Sequence, residues 1–421
     1  MVTETIPPAD LQSEDLSVYV SQQIENSSSI TVRPARRLTR SRYSTSELST
    51  SPDDTDDSDL EEETWKKTYW TSRPVAEDFD KIPLTTKQSF NPKTRPIRFF
   101  EKFFTNEAIE LIVSQTNLYA DQMKIKEWTP VTTDEIKAFL GILIIMGYKV
   151  LPMIDLYWSS DPGFRENDIA EIMPVKRFKK IMRSLHLNDN ARQPERNSPE
   201  YDRLFKLRPL INIINESCKN NVNLSSSQSI DESMVLFKGR SSLKQYLPLK
   251  PIKRGYKIWC RCDSETGYLY EFSIYTGKTD GVEKGLGAKV VKNLTQHLID
   301  NNIKNVHVTF DNFFTDNKLL EYLYEHNIYA TGTVRRHREG LPQLTKGPNA
   351  RKLKLSKGEF KWRVKDNVAF IIWQDNKEVL LLSSAFHPKV GVCTTLRTQK
   401  DGSKVPIRCP LAIKQYTKRM G

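Results

Sequence analysis

Two aspartates that each follow an apolar run have the chemistry to bind divalent metal ions. Asp231 and Asp311 lie 80 positions apart, and the run before Asp311 alternates so that Val306, Val308 and Phe310 share one face of a predicted buried strand. Hard ions such as magnesium prefer carboxylate oxygens, and two ions about 3.5–4 Å apart can stabilise the attacking and leaving oxygens of a phosphodiester. If the two strands are neighbours in one sheet, Asp231 and Asp311 can converge as catalytic metal ligands.

Neighbouring acids have simpler explanations. An acid at a strand end is usually a turn or cap residue, so we interpret Asp263 as a turn residue and Asp316 as the N-cap of the next helix. Strand alternation turns Glu232 away from Asp231, which predicts a structural or surface role for it. The sequence has no Gly-rich phosphate loop, no nucleophile elbow and no ligand spacing among its six histidines.

The cysteines and the apolar runs bear on the compartment. The five cysteines are an odd, scattered set that predicts a reducing compartment: Cys218, Cys260, Cys262, Cys393 and Cys409. Cys260 and Cys262 share a strand face where a metal pair is possible, but without a second pair at ligand spacing we interpret them as core. The longest apolar run, 138–146, is too short to span a bilayer, and the N-terminus lacks the layout of a signal peptide.

The uneven charge of the chain predicts a polyanionic partner. The net charge is +12, but residues 1–64 hold 14 acids and 5 arginines, a net of −9, which leaves +21 for the remainder. An excess of this size is typical of nucleic-acid or anionic-membrane binding. In segment 174–187, Arg177, Lys179, Lys180 and Arg183 lie opposite an apolar face. An ordinary amphipathic helix explains the apolar face, whereas the density of cations favours phosphate contact.

The N-terminal part changes from a polar tail to helices. Residues 1–65 are rich in Ser, Thr and acids and are predicted to be disordered. Their arginine cluster is compatible with nuclear localisation or DNA contact and equally with a solvated tail, and we interpret their acidic run as a spacer. Residues 66–95 form a predicted linker, and residues 96–225 have helical periodicity with Thr105 and Thr132 as N-caps.

The rest of the chain predicts a mixed α/β fold. Residues 226–336 predict three strands at 231–237, 257–262 and 268–275, followed by a helix, the strand before Asp311, a helix and a strand at 329–334, with a hairpin between the second and third strands. Residues 337–409 are strand-rich and basic, and residues 410–421 begin a return to the core. Cations around Trp362 suit nucleic acid, because a ring can stack on a base while cations neutralise phosphate. A core role for Trp362 is equally compatible, and Trp373 is predicted to be core.

The order of several motifs resembles that of the piggyBac family of cut-and-paste DNA transposases. The resemblance runs from about Phe99 to Gly421 and depends on the motifs together, since none is specific alone. They are Ile230-Asp231-Glu232, Phe237-Lys238-Gly239-Arg240, Tyr246-Leu247-Pro248-x-Lys250-Pro251, Gly255-x-Lys257, Asp311-Asn312-Phe313-Phe314-Thr315, Gly332-Thr333-Val334-Arg335, Trp373-x-Asp375-x-Lys377-x-Val379 and Leu382-Ser383-Ser384.

The resemblance implies a fold, a reaction and partners. The expected fold is an α/β ribonuclease H-like catalytic core over 226–336, with an N-terminal helical dimerisation and DNA-binding domain over 96–225 and a β-rich insertion domain over 337–409. The expected reaction is hydrolysis at a transposon end and strand transfer into a TTAA target, with two Mg²⁺ or Mn²⁺ ions and no small-molecule cofactor. The expected partners are double-stranded DNA and a second copy of the chain, in the nucleus. The residues expected to contact DNA are Arg177, Lys179, Lys180, Arg183, Lys238, Arg240, Lys253, Arg254, Arg335, Arg336, Lys361 and Arg363.

The family's third aspartate sets a limit on the expected activity. In the family this acid follows a stretch like residues 410–421, within a Gly-Val-Asp motif, and the present sequence stops at Gly421. The sequence is then a fragment or a truncated, domesticated derivative, without the family's zinc module. We expect Asp231 and Asp311 to bind a divalent ion without strand cleavage by these residues alone. The alternative function is an inactive DNA-binding or protein-interaction module derived from a transposase.

Overall fold

The computed structural model describes residues 65–66, 82–277, 285–345, 353–388 and 391–420, which all belong to one unit, Asp57–Gly421. The predicted disordered tail up to residue 64, with its arginine cluster and acidic run, lies outside the described residues, and so does half of the predicted linker, residues 67–81. The helices are α1 Pro96–Phe100, α2 Asn106–Gln122, α3 Thr133–Tyr148, α4 Asn167–Ala170, α5 Val175–Ser184, α6 Arg208–Asn220, α7 Leu286–Asp300, α8 Asn317–Glu325 and α9 Leu411–Met420. The strands are β1 Thr85–Thr86, β2 Val222–Asn223, β3 Ser227–Leu236, β4 Gln245–Tyr246, β5 Arg254–Asp263, β6 Leu269–Ile274, β7 Val306–Phe310, β8 Ile328–Thr333, β9 Phe360–Lys365, β10 Val368–Gln374, β11 Glu378–Ser383, β12 Cys393–Thr398 and β13 Lys404–Cys409.

Helices α2, α3 and α5 pack together in the N-terminal part. The Thr105 hydroxyl accepts the N–H of Ala108 and the Thr132 hydroxyl accepts that of Glu135, so both predicted N-caps begin their helices. Helix α5 confirms the predicted amphipathic segment, and its apolar side is buried in the same cluster as the inner sides of α2 and α3. Burial of these faces, rather than helix propensity, provides most of the stability of such helices.

The C-terminal part is built on a nine-stranded sheet. Its order is β4-β5-β3-β7-β8-β11-β10-β9, and β6 pairs with the same side of β5 as β4. Strands β3, β7 and β8 are parallel, and the other pairs are antiparallel. Helices connect the parallel strands, as a parallel pairing requires. Strands β9 to β11, from the predicted insertion region, pair onto β8 and therefore continue the central sheet rather than forming a sheet of their own.

Helices cover both faces of this sheet. On one face, α7 and α8 pack on Ile230, Phe310 and their neighbours in a cluster of fully buried side chains. On the other face, α9 packs through Ala412 and Ile413 on a second cluster that contains Trp373. Trp373 is 1% exposed and its indole N–H donates to a backbone carbonyl at 2.9 Å, which confirms its predicted core role.

A layer of buried polar side chains lies between α9 and the sheet. The Arg419 Nε donates to the Ser227 hydroxyl at 2.8 Å, while the Thr331 hydroxyl lies 2.8 Å from both the His307 ring and the Ser383 hydroxyl. Buried polar groups are tolerated when they are hydrogen-bonded to one another. These polar residues lie on the face of the sheet that α9 covers. The strands are therefore buried on both faces, although these residues on the α9 face are polar.

Several element predictions are confirmed, and one strand start is corrected. The hairpin of β5 and β6, the strand β8 and the N-cap Asp316, whose carboxylate accepts the N–H of Leu319 at 2.8 Å, are as predicted. Asp263 accepts the N–H of Thr266 at 2.7 Å and is the predicted turn residue. The strand predicted to begin at Asp231 instead begins at Ser227, because Arg419 satisfies the polar start of β3.

The five cysteines differ in burial. Cys218 and Cys409 are buried, whereas Cys260, Cys262 and Cys393 are half-buried, and all five thiols are free. Burial raises the pKa of Cys260 to about 12, which leaves its thiol protonated at neutral pH. No helix within the described ranges has the length and apolar character to cross a membrane.

Candidate active site and nucleic-acid interface

Strand register brings Asp231 and Asp311 together. In the parallel pair β3–β7, Ile230 is the partner of Phe310, so the next residue on each strand is one of the two acids. Neighbouring strands lie about 4.8 Å apart, which allows two carboxylates at matched positions to share one ion. Because Ile230 and Phe310 are buried under α7 and α8, strand alternation turns the acids toward the α9 face. We name the sheet edge at the carboxyl ends of β7 and β8 the carboxylate edge.

The two acids occupy different backbone settings. Asp231 lies in the middle of β3 rather than at the end of an apolar run, because β3 continues as a ribbon with β5 beyond its last pair with β7. Asp311 begins the loop after β7, as predicted, and its Oδ1 accepts the N–H of Phe313 at 2.8 Å. The Asp231 Oδ1 accepts the N–H of Glu232 at 2.8 Å. One local hydrogen bond therefore orients each carboxylate.

Burial and repulsion raise the pKa of both carboxyl groups. Burial is the largest cause for each, and the local N–H bond opposes it. The charge of Glu232 raises both values further, and that of Asp311 also raises the pKa of Asp231. Asp231 is exposed as a residue, yet its carboxyl group is desolvated enough for its pKa to be raised. A carboxylate pair of this kind is stabilised when a cation neutralises it.

We expect Asp231→Asn to raise the thermal midpoint at neutral pH. The folded-state pKa of Asp231 is raised, so ionisation costs folding free energy that increases as pH rises from the unfolded-state value, about 3.9, through the folded-state value. The gain should therefore be largest at pH 7–8 and disappear as pH falls toward about 4. Calorimetry across this range without divalent ions would measure it, with Glu110→Gln, an exposed acid on α2, as the control. A thermal midpoint for Asp231→Asn that is below that of the unmodified chain at neutral pH would contradict an unfavourable charge on Asp231.

Two lysines without a predicted role flank the acids. Lys250 forms an ion pair with Glu232 at 2.9 Å, which raises the pKa of Lys250. Lys257 is buried, with its ammonium 3.8 Å from the ring centroid of Trp259, and burial lowers its pKa. Both charges act on the two carboxylates. The Lys-Pro and Gly-x-Lys motifs of the sequence are the signal by which these residues could have been found.

Tyr416 on α9 completes this side of the site. Its hydroxyl lies 3.3 Å from the Thr333 hydroxyl at the end of β8. Burial raises the pKa of Tyr416, and the charges of Asp311 and Asp231 raise it further. The phenol is therefore a neutral hydrogen-bonding group beside the carboxylates. Glu232, the predicted structural acid, lies on the opposite strand face, paired with Lys250.

A ribbon arm projects beyond the carboxylate edge. It contains the C-terminal end of β3, the N-terminal end of β5 and the segment 237–253 between them, which includes β4. Within this arm, β3 pairs with β5 but not with β7. Leu249 in this loop is 98% exposed, and the Arg254 guanidinium lies 5.0 Å from the ring centroid of Tyr246. Four predicted DNA contacts lie exposed on the arm: Lys238, Arg240, Lys253 and Arg254. The arm thus brings positive charge next to the two acids.

Three of the four predicted contacts on α5 have partners within the protein. Arg177 donates to both carboxylate oxygens of Glu135 at 2.7 Å and lies over the Trp128 ring. Lys179 forms an ion pair with Asp155, Lys180 donates to the Glu127 carbonyl, and Arg183 is exposed. The Arg177 pair lowers the pKa of Glu135. A DNA role for α5 remains a prediction that depends chiefly on Arg183.

The remaining predicted contacts divide between the carboxylate edge and the far strand. Arg335 is exposed just after β8 and donates to Asn312 at 2.8 Å, next to Asp311. Arg336 forms an ion pair with Glu378 at the start of β11, on the same edge. Lys361 is exposed and Arg363 is half-buried on β9, the last strand of the sheet. Arg335 is therefore a predicted contact beside Asp311, and its charge opposes the rise in the pKa of Asp311.

The donor set matches a partial divalent-ion site. Magnesium is usually bound by one or two carboxylates, with waters and substrate phosphates as its other ligands. Asp231 and Asp311 meet that requirement, because they lie at matched register on neighbouring strands. Burial and acidic neighbours raise the pKa of both carboxyl groups. Within the described ranges, no group of three His, Cys, Asp or Glu side chains is arranged to hold a metal ion. The two acids are thus a pair rather than a closed metal cage.

The chain is similar to known transposases and transposase-derived proteins. The transposase family described as Transposase IS4 matches residues 95–421. Human piggyBac transposable element-derived protein 3 is 34% identical over 365 residues, which are 85% of this chain and 59% of that protein. Human piggyBac transposable element-derived protein 2 is 30% identical over 362 residues, 84% of this chain and 59% of that protein. The chain thus spans about three fifths of the length of these relatives.

A solved structure shares the fold. The cryo-EM structure of the piggyBac transposase synaptic complex with hairpin DNA superposes with a TM-score of 0.60 at 26% identity, covering 77% of this chain and 66% of that chain. The family match covers most of the chain, and the fold and the motif order agree with it. The chain belongs to the piggyBac family of transposases and transposase-derived proteins.

Proposed function

We propose that the chain binds double-stranded DNA across the carboxylate edge and that Asp231 and Asp311 hold a divalent ion against a phosphodiester there. One observation carries the proposal, namely that strand register pairs the two acids beside an exposed basic arm. A bound Mg²⁺ or Mn²⁺ would supply Lewis-acid stabilisation of phosphate oxygens. The arm cations neutralise the DNA backbone, and Lys250 and Lys257 limit the negative charge around the acids.

The strand order supports a ribonuclease H-like core as the basis of this site. Strands β6-β5-β3-β7-β8 lie in sequence across the sheet, the first three antiparallel and the last three parallel. We propose that this five-stranded unit is the core expected for residues 226–336. Strands β9 to β11, which extend it beyond β8, then correspond to part of the expected insertion.

The reaction that the family resemblance implies is part of the proposed function. We propose that the protein acts in the nucleus as a homodimer, cutting and joining strands at TTAA targets with two divalent ions. The similar solved structure is a piggyBac transposase synaptic complex with hairpin DNA, which supports DNA as the partner of this chain.

A non-catalytic DNA-binding module is the second candidate function. It is favoured by the lack of a three-ligand metal group among the residues that the structure describes. The two candidates share the basic surface and differ in the use of the acids. Divalent-ion dependence of DNA binding separates them, because only the first requires Asp231 and Asp311 to take part.

A salt series tests the DNA-binding surface. We expect the chain to bind a mixed-sequence duplex with an affinity that falls steeply with salt, and Lys238→Ala/Arg240→Ala to reduce the slope of log K against log salt by about 2, since each phosphate contact contributes about 0.9. Fluorescence anisotropy would measure both. Lys87→Ala/Lys304→Ala is the matched control, because both lysines are exposed near the opposite end of the parallel strands. Equal slopes in all three proteins would refute the arm as a phosphate contact.

A further inference from the structure

The β12–β13 ribbon has a basic surface that is separate from the arm. Its strands pair antiparallel from Cys393–Cys409 to Thr398–Lys404, and the tip closes with the Gln399 N–H donating to the Ser403 carbonyl at 2.7 Å. Ile407 and Cys409 are buried against the α9 cluster, and the Arg397 guanidinium binds Asp375 at 2.9 Å. These contacts fix one face of the ribbon to the protein.

Topology brings the ribbon to the carboxylate edge. Strands β8 and β10 are both antiparallel to β11, so they run in the same direction and end on the same edge of the sheet. The ribbon packs on the end of β10, where the Trp373 indole donates to the Arg408 carbonyl at 2.9 Å. Helix α9 starts directly after β13 and carries Tyr416 to the two acids. The ribbon and the arm therefore belong to the same edge as Asp231 and Asp311.

The outer face of the ribbon has mixed basic and apolar chemistry. Alternation and exposure show that this face consists of three cross-strand pairs: Thr394–Arg408, Leu396–Pro406 and Thr398–Lys404. Leu396 is 60% exposed. No carboxylate of the described residues lies within ion-pair distance of Lys404 or Arg408, in contrast to Arg177 and Arg336, which have acidic partners. A ribbon that only faced solvent would have no need of an exposed apolar pair between two cations. This arrangement therefore favours a binding surface.

The dimensions of this face match a DNA groove. The major groove, about 12 Å wide, admits a two-stranded β-ribbon. A six-residue strand is roughly 17 Å long, and side chains on one face recur every ~6.8 Å, which equals two base-pair steps of 3.4 Å. Lysine and arginine at the ends of the face can bind phosphates while a short apolar pair faces the base edges, where thymine presents a methyl group.

We propose that the outer face of the β12–β13 ribbon is a second DNA-binding site that lies in the major groove of the duplex crossing the carboxylate edge. This inference rests on the proposed DNA-binding function and adds to it a groove, two phosphate contacts and an apolar base contact. Lys404 and Arg408 bind the backbone, and Leu396 with Pro406 lies against the base edges. Together with the arm, the ribbon then positions the duplex from two sides of the acids.

Charge removal on the ribbon tests the phosphate contacts. We expect Lys404→Ala/Arg408→Ala to bind a mixed-sequence duplex more weakly and to lower the salt slope by about 2, while Lys87→Ala/Lys304→Ala behaves like the unmodified chain. Calorimetric melting of each protein checks that the exposed substitutions leave the fold intact. Wild-type slope and affinity in the folded ribbon variant would overturn the proposal.

A chemical footprint identifies the groove. Dimethyl sulfate methylates guanine N7, which lies in the major groove, so the bound chain should protect a short run of guanines in a duplex of defined sequence. Lys404→Ala/Arg408→Ala should lose that protection, whereas Leu396→Ser, which keeps both cations, should weaken it and retain the salt slope. Unchanged protection in Leu396→Ser and in the charge variant would overturn the groove assignment. Absence of duplex binding by the unmodified chain would instead refute the proposed function itself, so the two failures are distinguishable.

Discussion

Alanine at position 311 is expected to lower the affinity of the chain for Mn²⁺ by at least about 100-fold, because losing even an outer-shell partner of a metal ligand commonly costs 10- to 100-fold. Asp311 stands at matched register with Asp231, and each carboxylate repels the other in the absence of a cation. Removing one acid takes away a ligand and also the repulsion that a cation would relieve. Asp231→Ala should therefore have an effect of similar size.

Titration of Mn²⁺ followed by the electron paramagnetic resonance of the free ion would measure these affinities, with and without duplex DNA. Mn²⁺ competes with protons for the two carboxylates, whose pKa values are raised, so the affinity of the unmodified chain should increase with pH from about 4 upward. Glu110→Ala, which removes an exposed acid on α2, serves as the control. Mn²⁺ binding that is unchanged in both aspartate variants would mean that the ion binds elsewhere.

The acid pair could be predicted from the sequence, but its setting could not. Alternation before Asp311 marks β7 as a buried strand, and the loop after it follows from the polar residues there. The sequence does not predict the start of β3, because Ser227 and Gln228 are polar; both are nevertheless buried and hydrogen-bonded, to Arg419 and Arg261 respectively. Both arginines are distant in the chain from the residues that they bind, so no local sequence pattern predicts these hydrogen bonds.

Pairing between distant strands limits what periodicity can reveal about the site. Lys257 is close to the acids only because β5 pairs with β3 in one particular register, and Tyr416 only because α9 packs on the sheet. Likewise, the basic character of residues 337–409 is evident from composition, whereas the pairing of β11 with β8 depends on which sheet edge is free. Local sequence thus predicts the elements, and tertiary contacts decide which side chains meet.

Alanine at Gly332 is expected to destabilise the fold by about 3 kcal/mol, at the upper end of the usual range for overpacking. Gly332 lies in β8, where an added Cβ would stand 2.2 Å from the Thr315 hydroxyl oxygen and 2.8 Å from the Phe310 carbonyl oxygen. The Thr315 hydroxyl donates to the Asp311 carbonyl at 2.8 Å and cannot move without disturbing the loop. The backbone of β7 cannot yield either, because it is paired on both sides.

A second glycine constrains the same loop from α7. A Cβ at Gly287 would lie 2.4 Å from the Phe313 carbonyl oxygen, so Gly287→Ala should destabilise the fold and displace the loop that begins at Asp311. Gly141→Ala is the matched control, because nothing lies within 4 Å of its added Cβ in the middle of α3. That control should instead stabilise by about 0.5–1 kcal/mol through helix propensity. Denaturant unfolding would measure these changes in the free energy of unfolding, which should have opposite signs in the two variants. The Mn²⁺ affinity of folded Gly287→Ala should also fall. A Gly287→Ala protein that keeps wild-type stability and wild-type Mn²⁺ affinity would show that the close approach of α7 does not position Asp311.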